Sequence, residues 1–178
     1  ENKLALYWQW NHNPEEELWS VTDREGWFRI TTGRVDSDIF HAKNTLTQRT
    51  EGPTCTSEVL LDTSGLNNGD YAGIAAFQSF CGMVGVRVDE NGKKYAYFAR
   101  QTRGDEMDIV TEDEITQDEI YLKIEYRFSK IDENGIITSE DQARFYYSLD
   151  GENWVKIGKG FTMSYSLDLF TGYRTALY

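Results

Sequence analysis

Hydrophobic and polar positions alternate at a period of two through most of this chain, and no convincing stripe of apolar residues recurs at helical spacing. The first alternating run covers residues 4–10. Leu4, Leu6, Trp8 and Trp10 share one face, and Ala5, Tyr7 and Gln9 share the other. That is the pattern of a strand with one buried face. It breaks at Asn11-His12-Asn13-Pro14, where the proline disfavours helical backbone at Asn13 and predicts a turn. Residues 18–22 and 26–32 predict a hairpin around Asp23-Arg24-Glu25-Gly26, with Phe28 and Ile30 inward and Trp27 and Arg29 outward. Residues 33–43 carry Arg34, Asp36, Asp38, His41 and Lys43, which resist burial, and predict a loop.

Residues 45–50 read Thr-Leu-Thr-Gln-Arg-Thr, a polar run that predicts an edge or surface-lining strand. Residues 53–62 predict another strand, with Val59 and Leu61 on one face. Residues 71–80 form a strand rich in Ala and Gly, which allows close approach of a second backbone or a ligand. Val84, Val86 and Val88 alternate with Gly85 and Arg87, and Asn91-Gly92 marks the hairpin to residues 94–100. The acidic stretch 104–119 predicts solvated loop around a short strand at 107–110. The cleanest alternation is Ile120, Leu122, Ile124, Tyr126 and Phe128, followed by Ala143, Phe145, Tyr147 and Leu149. A hairpin to 154–157 and a closing strand over 169–178, with Phe170, Tyr173 and Arg174, complete the chain. About twelve short strands with regularly spaced turns predict an all-β fold, a two-sheet antiparallel β-sandwich.

Composition adds limits. The 178 residues suffice for one domain with a full core. Eighteen basic against thirty acidic side chains give a net charge of −12, which repels nucleic acid and anionic lipid and leaves neutral partners open. No apolar run approaches the length of a membrane-spanning helix. The chain opens on Glu1 rather than Met, the expectation for a fragment or a processed product. Cys55 and Cys81 lack zinc-ligand spacing and predict two buried thiols, with one bridge left open if their strands adjoin. No cofactor is required by any motif. The acidic stretch leaves a structural calcium open but holds no calcium-loop pattern.

No nucleophile elbow, phosphate loop or His-Glu-x-x-His motif is present, and thirty acids always offer some carboxylate pair by abundance alone. Sugar binding needs an aromatic face beside groups that read hydroxyls. Four sets at predicted strand ends supply these: Trp10 with Asn11 and His12, Gln48 with Arg49, Gln78 with Phe80, and Tyr173 with Arg174. The tryptophans serve equally well as buried core, and Gln48 and Arg49 as partners of nearby acids.

Four blocks resemble the C-terminal β-sandwich domain of glycoside hydrolase family 43 enzymes, the β-xylosidases and arabinofuranosidases. They are Trp8-Gln9-Trp10-Asn11-His12-Asn13-Pro14 with Leu18-Trp19-Ser20, Asn44-Thr45-Leu46-Thr47-Gln48-Arg49-Thr50-Glu51-Gly52-Pro53, Asp70-Tyr71-Ala72-Gly73-Ile74-Ala75-Ala76-Phe77-Gln78, and Phe170-Thr171-Gly172-Tyr173-Arg174. The resemblance implies a concanavalin A-like jelly roll whose first and last strands lie close together. It also implies an accessory, non-catalytic domain, because the family's catalytic acids belong to an N-terminal five-bladed β-propeller. On this resemblance the domain binds xylan or arabinoxylan oligosaccharides and holds the attached enzyme near substrate, in a secreted or cell-surface bacterial setting. The alternative is a structural clamp that packs on the propeller, with Phe80 projecting toward the active site and the exposed aromatics as interface anchors.

Overall fold

The computed structural model describes residues 3–169 and 171–178. The described residues contain no α-helix, only strands and two short 3-10 turns. In chain order the strands are β1 (Trp8–Trp10), β2 (Trp19–Ser20), β3 (Arg29–Ile30), β4 (Leu46–Arg49), β5 (Thr54–Asp62), β6 (Tyr71–Phe77) and β7 (Phe80–Val88). They continue with β8 (Lys94–Thr102), β9 (Asp108–Ile115), β10 (Glu119–Ile131), β11 (Ile137–Ser148), β12 (Trp154–Thr162) and β13 (Arg174–Leu177). Seven form one antiparallel sheet in the order β1-β4-β13-β6-β7-β8-β9, four form a second in the order β12-β11-β10-β5, and β2 pairs with β3. The two larger sheets stack as the expected sandwich.

Alternation explains the packing. Ile120, Leu122, Ile124 and Tyr126 of β10, with Ala143 and Phe145 of β11, turn inward onto Ile74, Val84, Val86 and Phe98 of the larger sheet. Gly158 of β12 sits at φ +75°, where a Cβ would lie 2.2 Å from the Phe98 ring, so only glycine fits there without displacing that ring. The larger sheet is also covered on its outer side. Ala75, Phe77, Cys81, Met83, Tyr97 and Ala176 pack there beneath Ile39 and Phe40. Those two residues belong to the predicted loop at 33–43, which is therefore anchored in a second core. Each such burial stabilises by roughly 2 kcal/mol.

Other expectations are corrected. The first strand is three residues long, because Trp8 N donates to Ala5 O in a turn and Leu6 is 96% exposed. The polar run at 45–50 is no edge: β4 lies between β1 and β13. Its threonines tolerate burial because Thr47 Oγ1 donates to Gln9 O and Thr45 Oγ1 to Ala42 O. The acidic stretch is mostly strand, with β9 forming the sheet's outer edge and its acids paired to Arg100, Arg87 and Lys93. Leu149 leaves the buried face and is exposed. The first and last strands do lie close together, as the resemblance implies, one on each side of β4. Phe170 of the predicted closing strand lies outside the described residues. Cys55 and Cys81 are free thiols on different sheets, and burial pushes the Cys81 thiol up to about 12.

Candidate functional site: a two-arginine cleft at one end of the sandwich

Strand register gathers several chain segments at one end of the molecule. Arg49 of β4 faces Arg174 of β13, and Arg174 faces Phe77 of β6. Thr54 of β5 faces Arg127 of β10 at the same end, and Phe80 of β7 faces Thr102 of β8. Between these ends lies a cleft of about 420 Å³, lined by Arg49, Thr50, Gly52, Phe128, Thr171, Gly172, Tyr173 and Arg174. Thr50 Oγ1 donates to Tyr173 O at 2.6 Å, which ties the two walls together. The Phe128 ring stacks on buried Tyr126 and is half-buried.

The cleft is positively charged inside an acidic protein. Arg174 donates from Nη2 to Gln9 Oε1, while its Nε is buried without a partner. Burial, and then the charge of Arg49, hold the Arg174 guanidinium below its usual value. Among the described residues neither arginine forms a salt bridge, whereas Arg24, Arg34, Arg87 and Arg100 all do. Among the described residues no carboxylate lines the cleft, so they supply it with no pair of acids for glycoside hydrolysis.

Of the nine residues singled out from sequence, the cleft brings together Arg49, Tyr173 and Arg174. Tyr173 contributes little ring surface. It is buried, its hydroxyl donates to Phe80 O at 2.7 Å and accepts from Ser164 N at 3.2 Å, and burial pushes it up to about 12. Gln48 is half-buried one position along β4, between Trp8 and Thr175. Trp10, Asn11 and His12 lie at the other end of β1. Trp10 packs on Trp19 at 5.2 Å and Phe28 at 6.2 Å. Asn11 Nδ2 and His12 Nε2 both donate to Phe40 O, at 3.4 and 2.6 Å, and so pin the 33–43 loop.

Gln78 has no exposed surface. Its Nε2 donates to Ser166 O and Thr171 O, each at 2.9 Å, and its Oε1 accepts from Ser79 N. The Phe80 ring stacks on Phe161 with centroids 4.7 Å apart, so it turns into the sandwich rather than projecting from it. One side of Phe80 borders a smaller hollow of about 220 Å³ with Arg100, Gln101, Asp105 and Asp108. Among the described residues no three His, Cys, Asp or Glu side chains are grouped to hold a metal ion.

Sequence reading missed an apolar feature at this end. Past Ser129, which still donates to Pro53 O, and Asp141, which still accepts from Met163 N, β10 and β11 outrun their neighbours and pair only with each other, ending in the turn at 132–136. Ile131, Ile136 and Ile137 are exposed on that projecting ribbon. Leu6 and Tyr7, just before β1, and Tyr165 and Leu167, in the segment before β13, are exposed at the same end. Of the twelve large apolar side chains exposed among the described residues, these seven share one end. The signal was present in Ile136-Ile137, an apolar pair directly after a turn sequence.

Comparison with known proteins matches the whole chain, residues 1–178, to the family described as the beta-xylosidase C-terminal concanavalin A-like domain. A beta-xylosidase of Formosa agariphila is 31% identical over 197 residues, covering 99% of this chain and 30% of that protein. The structure of a bifunctional GH43-CE protein of Bacteroides eggerthii superposes with a TM-score of 0.88 at 43% identity, over 100% of this chain and 22% of the other. An engineered GH43 glycoside hydrolase, described as both endo-xylanase and exo-arabinofuranosidase, gives a TM-score of 0.88 at 27% identity, over 100% of this chain and 36% of the other. The chain thus spans roughly a third or less of each relative. Full-length match, shared fold and sequence identity agree: this chain belongs to the C-terminal concanavalin A-like domain family of GH43 beta-xylosidases.

Proposed function

We propose that this chain is a non-catalytic accessory domain that packs on an N-terminal family 43 β-propeller through the cleft-bearing end and helps shape the path of a xylan or arabinoxylan substrate. The observation that carries this reading is the grouping of seven exposed apolar side chains at one end, beside the cleft. Exposed apolar groups that share one region mark a protein interface. The aromatic residues suited to sugar stacking point the other way: Trp10, Phe80 and Tyr173 all pack internally. A second reading, independent binding of xylan, draws support from the cleft itself, whose Thr50, Thr171 and Phe128 offer hydroxyls and one ring face.

Two measurements separate the readings. The first is affinity electrophoresis of this chain in gels containing xylan, arabinoxylan, arabinan or cellulose. The second is pull-down of the separately expressed propeller of the parent enzyme. The packing reading expects complex formation, lost in Ile131→Asp and Ile137→Asp, and little retardation by neutral polysaccharide. Strong retardation by xylans with no propeller complex would replace it with the independent binding module.

A further inference from the structure

We infer that the Arg49–Arg174 cleft is a binding site for a hexuronate, a sugar bearing a carboxylate, such as an acidic substituent on a xylan chain. The inference deepens the substrate side of the function proposed above and rests on it. A neutral pentose asks for hydroxyl-reading groups alone. This cleft instead sets two guanidiniums opposite each other on adjacent strands, and among the described residues no carboxylate lines it and none forms a salt bridge to either. Arg174 is partly desolvated there and keeps one buried N–H donor unused. Placing two uncompensated cations together is unfavourable unless an anion joins them. Arginine presents paired donors that match a carboxylate's two oxygens.

The rest of the lining selects a sugar over a bare anion. Its volume of about 420 Å³ falls within the roughly 300–1,000 Å³ of ordinary ligand pockets. Thr171 supplies a hydroxyl, Thr50 Oγ1 can still accept beyond its bond to Tyr173 O, Phe128 supplies a ring, and a Cβ on Gly52 or Gly172 would meet only open space. The net charge of −12 repels anions in general, so an anion in the cleft is held by the local arginine pair against the field of the rest of the chain.

The test uses this 178-residue chain, labelled with ¹⁵N, and follows the arginine Nε–Hε signals. The probes are xylotriose, xylotriose carrying a glucuronosyl branch, sodium glucuronate and sodium acetate. The expected result is saturable shifts of the Arg49 and Arg174 signals, with the branched acid binding at least about tenfold tighter than xylotriose. Arg49→Gln, at an exposed position, should remove that preference without unfolding the domain, and Arg174→Gln should do the same where it remains folded. Affinity should fall as salt rises. Equal affinity for the neutral and acidic trisaccharides overturns the inference, as does the absence of any saturable shift in folded protein. Acetate binding as well as glucuronate also overturns it and assigns the arginines to an acidic side chain of a neighbouring domain. None of these readouts involves the propeller, so loss of the propeller complex with retained uronate binding would sink only the packing proposal.

Discussion

Gln78 separates a structural role from a sugar-reading one. It was a candidate for reading hydroxyls, yet its amide is fully buried and makes three hydrogen bonds, to Ser166 O, Thr171 O and Ser79 N. Through them it fixes the segment that precedes β13 and lines the cleft. Gln78→Met keeps the length of the side chain and removes the donors and the acceptor. Each lost bond costs about 1 kcal/mol net, and partners left buried without replacement add to that, so the expected loss is roughly 3–5 kcal/mol. For a domain of this size the loss corresponds to a drop of about 6–20 °C in melting temperature. In urea the midpoint should fall by roughly 1.5–2.5 M at an unchanged slope. Equilibrium unfolding followed by tryptophan fluorescence measures both midpoint and slope. A midpoint within roughly 0.3 M of the parent would refute the argument, since it would mean these bonds contribute almost nothing net. Lost ligand binding at unchanged stability would refute it too, and would return Gln78 to the recognition surface.

Gly158→Ala should destabilise by roughly 2–4 kcal/mol, because it adds a strained φ and a methyl that overlaps the Phe98 ring; thermal melting reads the loss, and an unchanged midpoint would contradict the packing at that site. Asp62 is held at about 2, below an ordinary 3.8, by hydrogen bonds from Ser64 and then by Arg24. Its contribution is therefore complete above the ordinary value and lost as pH falls through about 2. Asp62→Asn should flatten the acid limb of the stability profile in that window, and an identical limb in both proteins would count against it. Cys81, with its thiol pushed up to about 12, should resist iodoacetamide in the folded protein while half-buried Cys55 reacts slowly. Peptide mapping by mass spectrometry tests this, and labelled Cys81 under native conditions would contradict it.

The parts of the fold legible in sequence are those where one face of a strand meets the core and the other meets water. β10 is the clearest case: Ile120, Leu122, Ile124 and Tyr126 are buried, and Tyr121, Lys123 and Glu125 are not fully so. The polar run of β4 predicts an edge or surface-lining strand because threonine looks polar, yet its hydroxyl can be satisfied by a neighbouring carbonyl, as Thr47 is by Gln9 O. The sequence of β9 predicts mostly loop because its charges look solvated. Their partners sit on other strands: Arg87 lies twenty-five residues before Glu112, outside any local window, and Arg100, eight before Asp108, meets it only once the two strands pair. Ile39 and Phe40 were hidden among charged neighbours in the same way. The charges stay at the surface while two apolar side chains close a second core over the larger sheet.

The candidate site was legible only in its charges, and the reason is the same in kind. An aromatic or amide side chain serves a ligand only if the fold leaves it free, and sequence records the group but not whether it is already used. Trp10 is used by Trp19 and Phe28, Phe80 by Phe161, and Gln78 by three backbone groups. Arg49 and Arg174 differ because register brings them opposite each other, a repulsive arrangement that no described carboxylate relieves. A chain with thirty acidic side chains could have placed one there, as it did beside Arg87 and Arg100. The charge missing from the cleft is left to come from outside these strands, and the carboxylate of the hexuronate inferred above matches the paired donors that the two guanidiniums present.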